Sequence, residues 1–92
     1  MKTIRHWIDG QYYEGTPIGR FPVENPGTGE IEGELLQASD ADLDHAIEVA
    51  RRAQREWAKV SLAKRTAIMF RMRQLVLDHQ DEMARMIVAE HG

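Results

Sequence analysis

The sequence predicts an α+β fold in which two β-hairpins precede two or three amphipathic helices. Short β-prone runs alternate with turn-forming residues throughout residues 1–38. Residues 39–92 instead carry apolar side chains at three- and four-residue spacing, and serines stand where helices would begin. We therefore predict a β-hairpin segment at 1–38 and a helical segment at 39–92, within one small domain at most.

The two hairpins are predicted from their turn residues. Residues 4–8 are β-prone, Asp9 and Gly10 form the dipeptide that favours a two-residue hairpin turn, and residues 11–13 provide the return strand. A second pair of strands is predicted at 21–24 and 31–37, joined by the turn cluster 25–29. Pro22 favours an edge position, and Gly33 weakens the last strand.

The first helix is predicted from Ser39 onward. Ser39 is followed at the third helical position by Asp42, a pattern close to a capping box. An apolar stripe then follows, and three of its six residues are alanine, so that another element can approach closely. The stripe consists of Leu43, Ala46, Ile47, Ala50, Ala53 and Trp57.

Residues 61–92 predict a long apolar helix that begins at Ser61, is interrupted near His79 with Asp81 as the new N-cap, and ends at Gly92. Its apolar side chains cover far more than one stripe, so we expect neighbours on two sides. Arg65 and Arg73 fall inside this apolar arc, where each needs a carboxylate or carbonyl partner. The apolar residues of the first part are Leu62, Ile68, Met69, Phe70, Met72, Leu75, Val76 and Leu77.

Charge and composition narrow the class of protein. The net charge is −3, but residues 51–73 hold eight basic residues and one acid. This basic segment could bind a nucleic acid or an acidic partner, or its charges could be solvated around an internal interface. Because the charges encircle two helices instead of lining one face, the second interpretation is favoured. Cysteine is absent, and no apolar run has the length of a membrane span or signal peptide. We expect a cytoplasmic protein without membrane or nucleic-acid partners.

Several residues imitate functional motifs. Gly27, Gly29 and Gly33 approach a dinucleotide-binding pattern, but their spacing and the strand-like sequence that follows favour a turn. Ser61 and Lys64 match a Ser-x-x-Lys pattern without its companion motifs, so a helix cap is favoured. The histidines at 6, 45, 79 and 91 are scattered, and the methionines at 69, 72, 83 and 86 are expected to fill a core. We therefore predict no catalytic, cofactor-binding or metal-ligating residue in these 92 residues.

Three segments resemble the N-terminal part of the aldehyde dehydrogenases. They are residues 6–10 (HWIDG), residues 23–30 (VENPGTGE), and residues 61–92, which end in Glu90-His91-Gly92. Their order and spacing extend the resemblance over nearly the whole chain. Residues 61–65 and 70–73 are most similar to the coenzyme A-acylating branch, the methylmalonate-semialdehyde dehydrogenases.

The resemblance implies a portion of a Rossmann-like, α/β NAD-binding domain in a larger enzyme. That enzyme would oxidise (methyl)malonate semialdehyde with NAD and transfer the acyl group to coenzyme A, using a cysteine nucleophile absent from this chain. The segment alone would be inactive. Its partner would be either the rest of the enzyme or a second copy that binds through the apolar helix face. The intact enzyme would be a homo-oligomer. The alternative is a stand-alone α+β interaction module without catalytic activity.

Overall fold

The computed structural model describes residues 2–92, in which five β-strands precede three α-helices. The predicted α+β order is confirmed. The strands are β1 (Lys2–Ile4), β2 (His6–Ile8), β3 (Gln11–Tyr13), β4 (Gly19–Glu24) and β5 (Ile31–Gln37). The helices are α1 (Asp40–Trp57), α2 (Leu62–Asp78) and α3 (Gln80–His91). None of these three helices combines the length and apolar character needed to cross a membrane.

The first hairpin forms at the predicted turn. β2 and β3 pair antiparallel with Trp7 opposite Tyr12, and the connecting Asp9 and Gly10 have φ angles of 57° and 72°. Two consecutive positive φ angles are what a tight hairpin turn of this hand requires. The prediction of one strand over 4–8 is wrong, because Ile4 belongs to β1, which pairs with β5 instead of β3.

β4 and β5 form the second predicted hairpin, and β1 joins them in a sheet of order β1-β5-β4. β4 is therefore an edge strand, which accommodates Pro22 as predicted. β1 runs parallel to β5, with Lys2 opposite Gly33. This parallel pairing was not predicted, since it joins residues about 30 positions apart and leaves no local pattern in the sequence.

Gly33 has a different role from the predicted one. It is buried in β5, and a Cβ atom placed on it would lie 2.5 Å from the carbonyl oxygen of Lys2. A side chain here would therefore push β1 away from β5. The absence of a side chain is therefore a condition for the three-stranded sheet, a role that was not predicted from the sequence.

The helix boundaries follow local capping chemistry. Ser39 and Asp42 form the predicted capping box, and the side chain of Ser61 caps α2. The predicted interruption occurs at His79, but Asp81 is not the N-cap; it lies in the first turn of α3, and His79 occupies the cap position. Gly92, with a φ of 85°, ends α3 as predicted.

The described chain has a very small core. Its only buried hydrophobic residues are Leu36 and Val49 among residues 2–92. The radius of gyration is 16.9 Å, and the chain is only 15 Å thick along its shortest axis. A compact domain of this length would have a radius of gyration of about 12 Å. The strands contact one another, but no helix of the described residues packs along another helix.

The exposed side chains correct two expectations. The methionines at 69, 72, 83 and 86 are exposed rather than core residues of this chain, because residues 2–92 provide no surface that covers them. On α1, the predicted stripe is also turned outward: Leu43 and Ile47 are exposed, whereas Asp42 and Val49 are buried. The buried face of α1 is the one towards the first hairpin, where the rings of Tyr13 and His45 stack at 4.7 Å.

Candidate functional site

A polar junction fastens the segment before β4 to the start of α1. The backbone N–H of Thr16 donates a 2.9 Å hydrogen bond to Oδ1 of Asp42, and the backbone N–H of Ser39 donates to Oδ2 at 3.0 Å. The Thr16 hydroxyl lies 2.9 Å from Ser39 Oγ and 3.4 Å from Asp42 Oδ1. Ser39 Oγ accepts in turn from the backbone N–H of Asp42 at 3.2 Å. We call Thr16, Ser39 and Asp42 the α1 junction.

Asp42 is held in its ionised form at this junction. It is 2% exposed, and both carboxylate oxygens accept hydrogen bonds. The backbone N–H of Thr16, followed by that of Ser39, lowers the pKa of the Asp42 carboxyl below its ordinary value, and these bonds outweigh the opposing effect of burial. A carboxylate whose oxygens are occupied by fixed backbone donors is suited to holding structure, not to proton transfer.

The junction also explains the glycine beside it. Gly15 has a φ of 61°, and a Cβ atom on it would overlap with the Asp42 carboxylate. Any other residue here would face both the strain of a left-handed conformation and a collision with the junction. No local sequence pattern indicates this contact, because Asp42 lies 27 positions further along the chain.

Arg65 forms a second junction, between α1 and α2. Its Nε donates to the carbonyl oxygen of Val60 at 3.0 Å, and its Nη2 donates to that of Trp57 at 2.7 Å. The guanidinium carbon lies 5.2 Å from the centroid of the Trp57 ring. Of the carboxylate or carbonyl partner predicted for Arg65, the structure shows carbonyl groups, and that of Trp57 also accepts the backbone N–H of Val60 at 3.0 Å. Arg73 has no hydrogen-bond or ion-pair partner within residues 2–92.

The motif-like residues have local structural roles. Ser61 Oγ accepts a hydrogen bond from the backbone N–H of Lys64 at 3.2 Å, as a helix cap does. Gly29 lies in a turn where its N–H donates to the carbonyl of Asn25 at 2.7 Å, and β5 rather than a helix follows. Gly27 and Gly29 therefore do not form a phosphate-binding helix terminus with Gly33.

The four histidines are not brought together. His45 stacks on Tyr13, His79 Nδ1 lies 3.0 Å from Glu82 Oε2, and His91 is in the last turn of α3. His6 Nε2 is buried and has no hydrogen-bond partner in the described chain. Within residues 2–92, no three side chains of the histidine, aspartate or glutamate type are arranged to hold a metal ion.

The most extensive feature is an uncovered apolar surface on α2. Its side chains wrap most of the helix and are all exposed, among them Phe70 at 64% and Met69 at 58%. We call this surface the apolar arc of α2; it comprises Leu62, Ile68, Met69, Phe70, Met72, Leu75, Val76 and Leu77. Exposed apolar surfaces of this kind are typical of sites that contact another protein surface, a membrane or a ligand.

The fold and its uncovered surface fit a part of a larger structure, and the similarity to known proteins identifies which one. The model of the aldehyde dehydrogenase family matches residues 12–92, and the chain belongs to this family. The chain is 40% identical over 91 residues to malonate-semialdehyde dehydrogenase 3 of Geobacillus kaustophilus strain HTA426, an alignment that covers 99% of this chain. It is 38% identical to malonate-semialdehyde dehydrogenase 2 of Geobacillus thermodenitrificans strain NG80-2, again over 99% of the chain. With malonate-semialdehyde dehydrogenase 2 of Oceanobacillus iheyensis it shares 35% identity over its whole length.

The chain spans only 19% of the length of each of these relatives. The relatives therefore contain extensive structure that these 92 residues do not. The resemblance predicted from the sequence, to aldehyde dehydrogenases of the semialdehyde-oxidising type, is confirmed at the level of the family and of the relatives' names.

Proposed function

We propose that this chain is the N-terminal segment of an NAD-dependent, coenzyme A-acylating dehydrogenase that oxidises malonate or methylmalonate semialdehyde. The observation that carries the proposal is the similarity, over essentially the whole chain, to relatives that are named malonate-semialdehyde dehydrogenases. We propose further that residues 1–38 and 39–92 together form the first portion of its NAD-binding domain, in a homo-oligomeric cytoplasmic enzyme.

In this proposal the segment contributes packing, and the chemistry is carried by the rest of the enzyme. The sequence contains no cysteine, so a thiolate that attacks the aldehyde must come from outside these residues. The absence of an NAD site is supported by the position of Gly27 and Gly29, which lie in the loop between β4 and β5 instead of at the start of a helix. We therefore assign no catalytic, cofactor-binding or metal-binding role to any residue from 1 to 92.

The proposal is tested with the complete enzyme that carries this segment. We expect NADH to form when malonate semialdehyde and coenzyme A are supplied together, with an acyl-coenzyme A product detectable by chromatography and mass spectrometry. The isolated 92-residue chain should neither bind NAD in a calorimetric titration nor oxidise the aldehyde. Saturable binding of NAD by the isolated chain would contradict the placement of the cofactor outside it. Oxidation that proceeds equally well without coenzyme A would contradict the acylating assignment.

A stand-alone interaction module remains the second candidate, and the dimensions of the chain weigh against it. A radius of gyration of 16.9 Å and a core of two buried hydrophobic residues within 2–92 suit a part of a larger fold better than an independent domain. Light scattering and the binding of a hydrophobic dye, both measured on the isolated chain, distinguish an enzyme segment from a stand-alone module. A well-behaved monomer that leaves the dye unbound would favour the module, whereas self-association and dye binding are expected for the segment.

A further inference from the structure

An arginine stands unpaired in the middle of the apolar arc of α2. Arg73 lies one helical turn from both Met69 and Leu77, which are members of the arc. All three side chains are exposed, and Arg73 has no acceptor within residues 2–92. A surface that covers the arc would bury this guanidinium, and burying it without a partner is costly. The covering surface therefore has to provide an acceptor at Arg73.

The surrounding charge favours an acidic partner. Of the eight basic residues between 51 and 73, Lys59 pairs with Glu56 at 3.6 Å and Arg65 binds two carbonyl groups. The other six have no acidic group within 4.0 Å in the described chain. They are Arg51, Arg52, Arg55, Lys64, Arg71 and Arg73.

The same charges disfavour a second copy of this chain as the occupant. In a symmetric dimer the arc of one chain would face the identical arc of the other. Such a contact would bring together two surfaces that both carry the basic residues of segment 51–73, and like charges across an interface oppose association. A nucleic acid would satisfy the charges, but it would leave an aliphatic and methionine-rich arc uncovered, with Phe70 the only aromatic residue in it.

We propose that the apolar arc of α2 docks against another part of the complete aldehyde dehydrogenase, and that the docking surface is apolar at its centre and supplies a carboxylate to Arg73. The inference rests on the proposed function, because the surface that covers the arc would belong to the part of the enzyme that the curated relatives contain in addition to this segment. These relatives are about five times as long as the segment, which leaves ample chain to form such a surface.

The test compares two charge reversals in the complete enzyme, Arg73→Glu and Arg71→Glu. Both arginines are exposed residues of α2 in the isolated segment, and both changes alter the net charge equally. Arg71 lies in the narrow polar sector of the helix with Lys64 and Gln74, outside the arc. We expect Arg73→Glu to lower the melting temperature of the complete enzyme by about 5 °C or more, and Arg71→Glu to leave it nearly unchanged.

Equal effects of the two reversals would overturn the proposal. If Arg73→Glu prevents folding, Arg73→Lys and Arg73→Gln replace it: retained stability with lysine and lost stability with glutamine, an uncharged donor that could still bind a carbonyl group, support a carboxylate partner, and the reverse order contradicts one. The melting temperatures are measured without substrate. A protein that shows the contrast but does not oxidise malonate semialdehyde would refute the proposed function while leaving the docking surface in place.

Two measurements on the isolated segment test the other possible occupants of the arc, a second copy of the chain and a nucleic acid. Ultracentrifugation at low and high salt should give no discrete dimer whose formation depends on Arg73; a stable dimer abolished by Arg73→Glu would assign the arc to a second copy and overturn the proposal. Salt-dependent retention on a DNA column that is lost with Arg73→Glu would assign it to nucleic acid and would equally overturn it. We expect neither an Arg73-dependent dimer nor Arg73-dependent retention on DNA, and we expect Arg73→Glu to destabilise the complete enzyme more than Arg71→Glu does.

Discussion

The backbone N–H of Thr16 donates a 2.9 Å hydrogen bond to the Asp42 carboxylate, across 26 residues of sequence. This bond connects the segment that leads into β4 with the first turn of α1. Because the same carboxylate also closes the capping box with Ser39, one side chain fixes both where the helix begins and where the preceding segment lies.

The first prediction concerns Ser39. Ser39→Ala removes the cap of α1 and the contact with the Thr16 hydroxyl, whereas Ser61→Ala removes only the cap of α2. Loss of a serine cap costs about 1 kcal/mol, so hydrogen exchange of the amides in the affected first turn should accelerate roughly fivefold. For Ser39→Ala the acceleration should also reach the Thr16 amide. Exchange at Thr16 that is unchanged would show that the Ser39 hydroxyl does not support the α1 junction.

The second prediction is a dependence of the α1 junction on pH. Hydrogen bonds from Thr16 and Ser39 lower the pKa of Asp42 in the folded chain, compared with an ordinary value of 3.8. A lowered folded-state pKa stabilises the fold above the unfolded-state pKa, and this stabilisation is lost as the pH falls through the folded-state value. Protection of the Thr16 amide should therefore persist down to about pH 4 and decline below it.

Asp42→Asn is the control for that pH profile. The amide keeps the size of the side chain but does not ionise, so protection of the Thr16 amide should be weaker and should no longer change around the carboxyl titration. A profile that is the same for aspartate and asparagine at position 42 would remove Asp42 as the cause.

The third prediction separates two effects of glycine. Gly10 and Gly15 both have positive φ angles, 72° and 61°, but only at Gly15 would a Cβ atom collide with other groups, the carboxylate of Asp42 and the ring of Tyr13. Gly10→Ala should cost about 1–2 kcal/mol from backbone strain alone. Gly15→Ala should cost more and should also expose the Thr16 amide to exchange. Equal losses of stability, measured by urea unfolding of the same protein, would mean that the Asp42 carboxylate and the Tyr13 ring both move aside freely.

The fourth prediction concerns the corner between α1 and α2. Arg65→Met removes two hydrogen bonds to carbonyl groups and the cation above the Trp57 ring, while it keeps an apolar stem of similar length. Charged hydrogen bonds at a partly exposed site are worth about 1 kcal/mol, so a moderate loss of stability is expected. The fluorescence of Trp57, measured with Trp7 replaced by phenylalanine, should change with Arg65→Met and stay constant with Lys64→Met.

Local chemistry made much of this fold predictable. Asp9 and Gly10 predicted the hairpin turn, Ser39 and Ser61 predicted helix starts, and Gly92 predicted a helix end, because each acts on backbone groups within a few residues of itself. A carboxylate or carbonyl partner was expected for Arg65 because a cation left unpaired on an apolar surface is costly, and carbonyl groups provide it.

Relationships between distant residues were not predictable. Nothing near Gly33 indicates that Lys2 approaches it, and nothing near Gly15 indicates the Asp42 carboxylate. The outward position of Leu43 and Ile47 was missed for a related reason: periodicity identifies an apolar stripe but does not say whether its cover lies within the same 92 residues. The prediction that Asp81 caps α3 was wrong, because α3 already begins at Gln80 and His79, with φ −109° and ψ 17°, occupies the cap position.

The thickness of 15 Å has a consequence for how the proposed enzyme is made. A slab this thin leaves every helix at the surface, so the segment cannot bury its own apolar side chains while it emerges from the ribosome. At synthesis rates of about 5–20 residues per second, the remaining four-fifths of an enzyme like its relatives would follow over tens of seconds. Throughout that interval α2 and α3 would present the kind of surface that chaperones bind.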